Sequence, residues 1–317
     1  MPGLLHALGA GGLALLQAAI LLALAPLLRA AIGKMKARLQ NRRGPRLLQG
    51  YYDLAKRFRK EPIRSATATW IYVAGPRVYF AAAVAATTLV PVLVPAAPLE
   101  AAGGILLFAG MLALGRFALA TAALDTGSAF GGMGASRDMT LAALGEPALL
   151  LGLFTSALAV GSMNLGALVR GVLEQGHSFH PSDLLAFAGL FIIVIAETGR
   201  IPVDNPATHL ELTMIHEAMA LEYAGPDLAL VEWASALKEL LYLTLLVDLF
   251  MPSGMAARIA PGALLLSLLA WAGKVLLLAI AVTLVESTNA KLRLFRVPEL
   301  LTVSLGLAFL ALAIRFL

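Results

Sequence analysis

The chain of 317 residues contains no cysteine. Thiolates are the usual protein ligands of iron–sulfur clusters, and thiols also form disulfides and act as nucleophiles, so all three roles are excluded. Any redox chemistry in which the protein takes part must therefore belong to a partner or to a diffusible cofactor. Charged residues are also scarce. Asp, Glu, Lys and Arg make up 14% of this chain, compared with about 25% of a typical soluble domain.

Apolar residues are abundant instead. They make up 60% of the chain, and the mean hydropathy is +0.85, which is typical of a polytopic membrane protein. A bilayer core about 30 Å thick requires about 20 mostly apolar residues per helix. We expect an all-α fold, with residues 1–317 forming a single integral membrane domain of about eight transmembrane helices. The predicted spans are 4–28, 72–95, 101–124, 139–163, 184–200, 229–250, 262–285 and 298–316.

The distribution of Lys and Arg predicts the orientation. A basic loop over 33–68 holds eleven of them. In the predicted topology sixteen Lys and Arg residues flank spans on that side and three on the other, so that side is cytoplasmic and both termini face outward. The acidic loop over 197–231 lies on the cytoplasmic side too. We expect a multi-pass protein of a bacterial or archaeal cytoplasmic (inner) membrane, and the net charge of +5 reflects orientation rather than nucleic-acid binding.

Several ionisable residues fall within or at the ends of the predicted spans. A charge inside a bilayer usually marks an ion path, a proton relay or a buried pair. An interfacial position is the alternative, above all for Arg77 and Glu286. Glu232 and Glu239 are seven residues apart and so lie nearly on one stripe of a helix, beside Lys238. The residues concerned are Arg77, Arg116, Glu146, Glu197, Lys238, Glu239, Asp248, Lys274 and Glu286.

The acidic loop contains ETGRIPVDNPATHLELTMIHEAMALEYAG at 197–225. A polar loop of this kind between membrane spans indicates that a partner docks there or that charge passes nearby. His216-Glu217 resembles the start of a zinc-protease helix, but Ala220 occupies the position of the second ligand. His209 and His216 could share a helix face, yet loop packing or proton exchange explains them better than a metal, and we predict no metal site.

Two further patterns have simpler explanations than ligand binding. The glycine-rich stretch 125–138 lacks the GK[ST] of a phosphate-binding loop, and Arg137 stands where GxGxxG needs its third glycine, so we interpret it as a flexible loop or a close helix approach. The basic loop, with interleaved aromatic residues, could bind RNA or anionic lipid. Positive-inside anchoring and partner docking explain it more simply, and we expect no nucleic-acid partner.

Particular motifs carry a family resemblance along essentially the whole chain. ETGRIPVDNP at 197–206, with EYAG at 222–225, resembles the ETNRxPFDxPE…EYSG loop of the complex I membrane subunit that joins the quinone cavity to the proton-pumping arm. QNRRGP at 40–45 resembles the RxGP segment that follows the first helix of that family. The predicted eight-span layout agrees with that of the family.

Other segments are similar to the homologous subunit of membrane-bound nickel–iron hydrogenases of the formate hydrogenlyase and hydrogenase-4 type. They are DNPATHLELTMIHEAMALEY at 204–223, LDTGSAFGGMGASRDM at 124–139 and NAKLRLFRVPELL at 289–301. The loop between Glu211 and Glu222 is longer than in the quinone-reducing pattern. His209 also replaces a carboxylate and Gly199 an asparagine of that pattern. These departures argue against a functional quinone site.

The resemblance implies a non-catalytic membrane anchor that couples a redox module to proton movement. Hydrogenase large and small subunits and an iron–sulfur electron-transfer subunit would hold all nickel–iron and iron–sulfur centres, leaving no cofactor in this chain. Antiporter-like membrane subunits would continue the path through the bilayer. The implied docking residues are Arg42, Arg43, Arg46, Arg200, Asp204, His209 and His216. The implied proton-path residues are Glu146, Glu197, Glu211, Glu217 and Glu222 near the redox interface, with Lys238, Glu239 and Lys274 deeper.

Three other functions remain open at this point. The chain could be a complex I subunit that helps to enclose a quinone. It could be a free-standing ion transporter, although no clear internal repeat pairs its halves as in many transporters. It could also be a structural anchor that moves no ions.

Overall fold

The computed structural model describes residues 2–65, 67–95, 104–174, 180–205, 214–256 and 258–316. These residues form helices and connecting segments, with no β-strand among them and one isolated bridge between Gly104 and Asn164. The helices are α1 (Pro2–Leu39), α2 (Gln49–Phe58), α3 (Trp70–Thr87), α4 (Ile105–Asp125), α5 (Ala129–Val160), α6 (Leu165–Glu174), α7 (Pro181–Glu197), α8 (His216–Ala220), α9 (Gly225–Phe250), α10 (Pro261–Thr288) and α11 (Val297–Phe316), with a 3-10 turn at Leu294–Arg296 before α11.

The all-α membrane fold is confirmed. Within the described residues, five helices are long and apolar enough to cross a bilayer: Leu15–Leu39, Ile105–Asp125, Ala129–Val160, Pro261–Thr288 and Leu294–Phe316. The three other predicted spans coincide with α3, α7 and α9. Helices α3 and α7 have 18 and 17 residues, slightly short of the roughly 20 that span a bilayer alone. Helix α9 is long enough, but ionisable side chains interrupt its apolar sequence.

Helices α1 and α3 end at positions that hydropathy alone does not predict. Helix α1 continues to Leu39, well past the predicted end at residue 28, and its last turn carries Lys36 and Arg38. Cations in a last helical turn interact favourably with the helix dipole, which helps the helix to continue into the basic loop. Helix α3 stops at Thr87, because Pro91 shortly afterwards restricts the residue before it and removes a backbone donor.

The segment 88–95 after α3 is non-helical yet mostly buried. Irregular backbone at membrane depth is tolerated only where protein satisfies its polar groups. The side-chain oxygen of Gln17 accepts hydrogen bonds from the amides of Val92 and Leu93 at 2.8 and 2.9 Å. The Leu93 carbonyl accepts from the Ser267 hydroxyl at 2.7 Å and from the Ala256 amide at 2.9 Å. Side chains of α1 and α10 therefore hold this segment in place.

Most of the glycine-rich stretch 125–138 is helical, so its interpretation as a flexible loop is wrong. Ser128 caps α5, since its hydroxyl accepts from the Gly131 amide at 3.0 Å. A Cβ atom at Gly134 would lie 2.8 Å from the Cβ of Ala218. The alternative interpretation, a close approach of two helices, therefore applies, because the small glycine side chain allows α8 to pack against α5.

Helix α9 lies at the centre of the bundle. It packs against α1, α2, α3, α6, α7 and α10, and its residues from Ala236 to Phe250 are all buried. A helix that is buried on every side belongs to a protein interior rather than to a lipid face. The charged side chains of Lys238 and Glu239 are therefore held inside the protein, where they need partners.

Candidate functional site

Arg116, in the middle of α4, lies at the centre of a buried group of charges and is 5% exposed. Its Nη1 donates to Glu146 Oε1 at 2.9 Å, and its Nη2 donates to Glu197 Oε2. Its Nε lies 3.9 Å from Asp138 Oδ2. One guanidinium thus joins α4 to two carboxylates of α5 and one of α7, which suits the planar, multiple-donor geometry of arginine.

Glu197 accepts from three donors at a single oxygen, Oε2. Besides Arg116, Lys238 Nζ lies 2.8 Å away and the Tyr242 hydroxyl donates at 3.3 Å. The other oxygen faces α5, where a Cβ at Gly145 would lie 3.3 Å from it. Two cations and a hydroxyl around one buried carboxylate offset its loss of hydration.

Asp138 extends the group to α8. His216 Nε2 lies 3.1 Å from Asp138 Oδ1, while Nδ1 of the same ring has no hydrogen-bond partner among the described residues. Burial lowers the pKa of His216, but the charge of the Asp138 carboxylate, its hydrogen bond and the charge of Asp204 together raise it by more, so the pKa lies above its usual value of 6.5. We call Arg116, Asp138, Glu146, Glu197, His216, Lys238 and Tyr242 the Arg116 cluster.

A cavity of about 60 Å³ opens beside this cluster. A polar cavity needs about 10–15 Å³ to hold one water molecule, so this one has room for several. Its wall includes Arg29, Arg116, Asp138, Glu197, Asp204, His216, Glu217, Glu232 and Lys238. The Arg116 cluster therefore borders a space that could carry hydrogen-bonded water.

A second buried cluster surrounds Arg200. Its Nη2 donates to both carboxylate oxygens of Glu239, at 2.6 and 2.8 Å, and its Nη1 donates to Glu286 at 3.5 Å. Lys36 Nζ lies 3.7 Å from the other oxygen of Glu286. Glu286 is 3% exposed, so its carboxylate is held inside the protein by these two cations. We call Arg200, Glu239, Glu286 and Lys36 the Arg200 cluster.

The two clusters share two short backbone segments. Lys238 and Glu239 are consecutive in α9, but the first belongs to the Arg116 cluster and the second to the Arg200 cluster. Glu197 and Arg200 are three residues apart at the end of α7, and they too belong to different clusters. Movement of either segment would alter both clusters together.

The structure brings together some of the predicted proton-path residues. Glu146, Glu197 and Lys238 meet in the Arg116 cluster, Glu217 lines its cavity, and Glu239 belongs to the Arg200 cluster. Lys274 belongs to neither cluster, since its ammonium donates to the Met251 carbonyl at 2.6 Å and to the Ser253 carbonyl. Glu222 is partly buried, and Glu211 lies outside the described residues. A role in proton movement stays a prediction for all eight residues: Glu146, Glu197, Glu211, Glu217, Glu222, Lys238, Glu239 and Lys274.

The predicted docking residues divide into two groups. Arg42, Arg43 and Arg46 are exposed, so docking stays a prediction for them. Arg200 and Asp204 are 6% and 2% exposed, so neither side chain lies at the surface of this chain, and docking stays a prediction for them as well.

Internal contacts account for the burial of these two residues. Arg200 pairs with Glu239, and Asp204 accepts from Lys291 at 2.7 Å and from the Ile215 amide at 3.1 Å. His216 is partly buried against Asp138, and His209 lies outside the described residues.

Three members of the Arg116 cluster are missing from the predicted site: Arg116, Asp138 and Tyr242. Arg116 is a lone charge in the middle of a 21-residue apolar helix, a position that requires a buried counter-ion; this signal could have identified it. Asp138 belongs to a stretch interpreted as a loop. Glu232 and Glu239 both lie on α9 as the predicted stripe requires, but they have different partners: Glu232 pairs with Arg57, and its side chain is 34% exposed.

The family model for NADH dehydrogenase matches residues 12–316. The chain belongs to this family. Formate hydrogenlyase subunit 4 of Escherichia coli is 33% identical over 94% of this chain and 96% of the relative. Hydrogenase-4 component C of the same organism is 33% identical over 94% and 93%. The resemblance inferred from the motifs is therefore confirmed by homology.

A more distant relative of this NADH dehydrogenase family member is a subunit of the NADH-quinone oxidoreductase of Rubrobacter xylanophilus, 28% identical over 67% of this chain and 66% of the relative. A chain in the structure of the membrane-bound sulfane sulfur reductase, an archaeal respiratory membrane complex, shares the fold. Its TM-score is 0.83 at 20% identity, with 97% of this chain and 99% of the other covered. The protein is thus an integral membrane protein whose relatives are subunits of larger membrane complexes.

Proposed function

We propose that this NADH dehydrogenase family member is the membrane-anchoring and proton-coupling subunit of an energy-converting nickel–iron hydrogenase complex of the formate hydrogenlyase type. Similarity over nearly the full length of two proteins with those names supports the assignment. The observation that carries the coupling role is the Arg116 cluster, a connected set of buried charges beside a polar cavity.

In this proposal the redox module docks on the basic loop and on the surface of the acidic loop. The module comprises the hydrogenase large and small subunits and an iron–sulfur electron-transfer subunit. All nickel–iron and iron–sulfur chemistry takes place there, since this chain has no thiol ligand. The exposed Arg42, Arg43 and Arg46 offer positive charge to an acidic partner surface, and the basic loop faces the cytoplasm.

Proton coupling follows from the way Glu197 is held. Arg116 and Lys238 both contact its Oε2, so a change of charge at the docked module alters the balance of attraction around this carboxylate. Protons reach the Arg116 cluster through the cavity, where Glu217 and His216 line the wall. Burial and neighbouring charges of this kind are what adjust a group for proton exchange.

Glu146 marks the place where a proton would leave the chain. Its side chain is 42% exposed although it contacts the buried Arg116 at 2.9 Å, and it projects from the middle of the long helix α5. A partly exposed carboxylate at membrane depth requires a polar neighbour. We assign that position to an antiporter-like subunit of the same complex in the cytoplasmic membrane.

The proposal is tested by purifying the chain with its native partners in mild detergent, identifying them by mass spectrometry and assaying hydrogen evolution. Co-purification of a nickel-containing large subunit with hydrogenase activity is the expected result. Recovery of NADH dehydrogenase subunits with quinone reductase activity would refute the hydrogenase function and support the complex I function. A lone chain that conducts ions in liposomes would overturn both.

The complex I function has one structural observation in its favour. A second cavity, of about 230 Å³, opens between α1, α2 and α9, with Pro26, Arg29, Trp233 and Glu232 in its wall. Its mixture of apolar and polar groups could receive an amphipathic ring such as a quinone. A photoreactive quinone analogue that labels this cavity in the purified complex would favour this second function, and absence of labelling would favour the first.

A further inference from the structure

A groove of about 540 Å³ runs between α1 and α10, at the end of the bundle that carries the basic loop. Its wall is apolar and includes Met35, Leu39, Leu47, Leu276, Ile280 and Leu284. Most of these side chains are more than 40% exposed: Leu39 at 54%, Leu47 at 41%, Leu276 at 46%, Ile280 at 44% and Leu284 at 48%. An apolar surface of this size is covered in the membrane, either by lipid chains or by another protein.

Two cations border this groove. Lys34 and Arg38 are four residues apart on α1, so they project from the same face, and both line the groove. Neither side chain forms an ion pair or a side-chain hydrogen bond with any residue that the structure describes. Lys36 lies between them in sequence but turns inward to Glu286, at 3.7 Å.

The arrangement of Lys34 and Arg38 is unfavourable without an anion. Like charges four residues apart on a helix repel one another, and the apolar wall beside them adds a desolvation cost. A phosphate between the two side chains would offset both effects, because ammonium and guanidinium groups bind phosphate oxygens through charge-assisted hydrogen bonds. A neighbouring transmembrane helix would cover the apolar wall but would leave the two cations without an anion.

We propose that this groove is a binding site for an anionic phospholipid. The headgroup phosphate lies between Lys34 and Arg38, and an acyl chain follows the apolar wall formed by α1 and α10 towards the middle of the bilayer. The order of groups matches the bilayer. The two cations lie beside the basic loop together with Leu39 and Leu47, and Leu276 and Ile280 lie deeper on α10, before Glu286, which Lys36 contacts. Basic pockets between helices at the cytoplasmic surface of a membrane are typical binding sites of anionic headgroups.

Native mass spectrometry of the full chain in mild detergent tests the proposal. Cardiolipin and phosphatidylglycerol are compared with phosphatidylcholine of the same chain length. We expect the unaltered chain to retain the anionic lipids preferentially. The double variant Lys34→Gln/Arg38→Gln should lose about tenfold or more of that retention, because each basic residue contributes to binding an anionic headgroup.

The matched control is Lys56→Gln/Arg59→Gln, which removes the same charge from exposed positions of the basic loop. It should keep the preference for anionic lipid. Equal retention of anionic and neutral lipid by the unaltered chain, or equal loss in the two double variants, would overturn the proposal. A loss due to misfolding is recognised from a lowered melting temperature in lipid-free detergent, and Leu276→Trp, which fills the groove and keeps both cations, then replaces the double variant.

A crosslinking experiment separates a lipid from a protein occupant. Since the chain has no cysteine, Leu284→Cys supplies its only thiol, which carries a photoreactive label in the groove; adducts in the assembled complex are assigned to this position by peptide mass spectrometry of this chain. A lipid adduct is expected. A crosslink to another subunit in place of lipid would show that a protein covers the groove and would refute the lipid site.

Discussion

Arg200 donates a hydrogen bond to each carboxylate oxygen of Glu239, at 2.6 and 2.8 Å. The two residues are 6% and 3% exposed, and the pair joins the first turn of the acidic loop to the central helix α9. Both bonds come from Nη2, and charge-assisted hydrogen bonds of this kind are stronger than those between neutral groups. The pair therefore sets the position of the acidic loop on the bundle.

Removal of one partner from this pair should destabilise the protein strongly. Glu239→Gln leaves Arg200 buried with Glu286 as its remaining anion, and the loss of one member of a buried ion pair costs about 3–5 kcal/mol. The free energy of unfolding in detergent, measured by denaturant titration, checks this. The control is Glu232→Gln, whose partly exposed pair with Arg57 should contribute no more than about 1 kcal/mol. Equal losses in the two variants would contradict the prediction.

Glu197→Gln and Glu146→Gln should weaken proton coupling while the complex still assembles. Glu197→Gln should also lower stability, because Arg116 and Lys238 lose their shared buried carboxylate. Glutamine preserves the size of the side chain but cannot accept and release a proton. We expect hydrogen evolution by the purified complex to persist while proton movement in proteoliposomes falls. Glu299→Gln, at an exposed position of α11, is the control and should behave as the unaltered protein does. Normal proton transfer in either variant removes that residue from the path.

Stability should depend on pH through His216. Because its pKa is raised above the usual 6.5, the contact with Asp138 contributes in full below about pH 6.5 and is lost as the pH rises through the folded-state pKa. The difference in melting temperature between the unaltered chain and His216→Gln should thus be largest in acid and shrink towards alkaline pH. A difference that grows with pH would show that the ring is neutral when folded.

Helices α3 and α4 approach closely at Gly75. A Cβ there would lie 2.4 Å from the Cβ of Ala122 and 3.0 Å from the Ala118 carbonyl. Gly75→Ala should therefore cost about 1–3 kcal/mol, the usual penalty for overpacking. Gly110→Ala is the matched control on α4, since nothing lies within 4 Å of its added methyl group. The free energy of unfolding in detergent is measured for both variants. An equal decrease in the two would show that the close approach of α3 and α4 does not contribute to stability.

The length of the apolar runs in the sequence predicts the positions of the long helices well. Predicted span 262–285 corresponds to α10, Pro261–Thr288, and span 298–316 to α11, Val297–Phe316. Hydropathy fails where a helix is amphipathic or where buried backbone is irregular. Helix α2, Gln49–Phe58, lies within the basic loop and has no fully buried residue, so a hydropathy profile cannot reveal it. The segment after α3 is apolar without being helical.

The candidate site was only partly predictable, for a physical reason. A charge within a span signals that a partner exists, but the identity of the partner depends on how helices far apart in sequence pack. Glu197 and Lys238 were both expected in the membrane. Their contact with Arg116, on a third helix, follows only from the packed bundle. The burial of Arg200 was missed because its neighbours, Ile201 and Pro202, belong to a loop whose polarity indicated exposure.

Lys238 and Glu239 have one further consequence for α9. Consecutive residues on an α-helix point about 100° apart, so these two side chains hold the helix against two different neighbours at 2.8 Å and 2.6 Å. Rotation of α9 about its axis would therefore disturb both contacts at once. The two ion pairs thus resist rotation of α9 about its axis, and a change of charge in one cluster that turned this helix would also displace the α9 side chain that belongs to the other cluster.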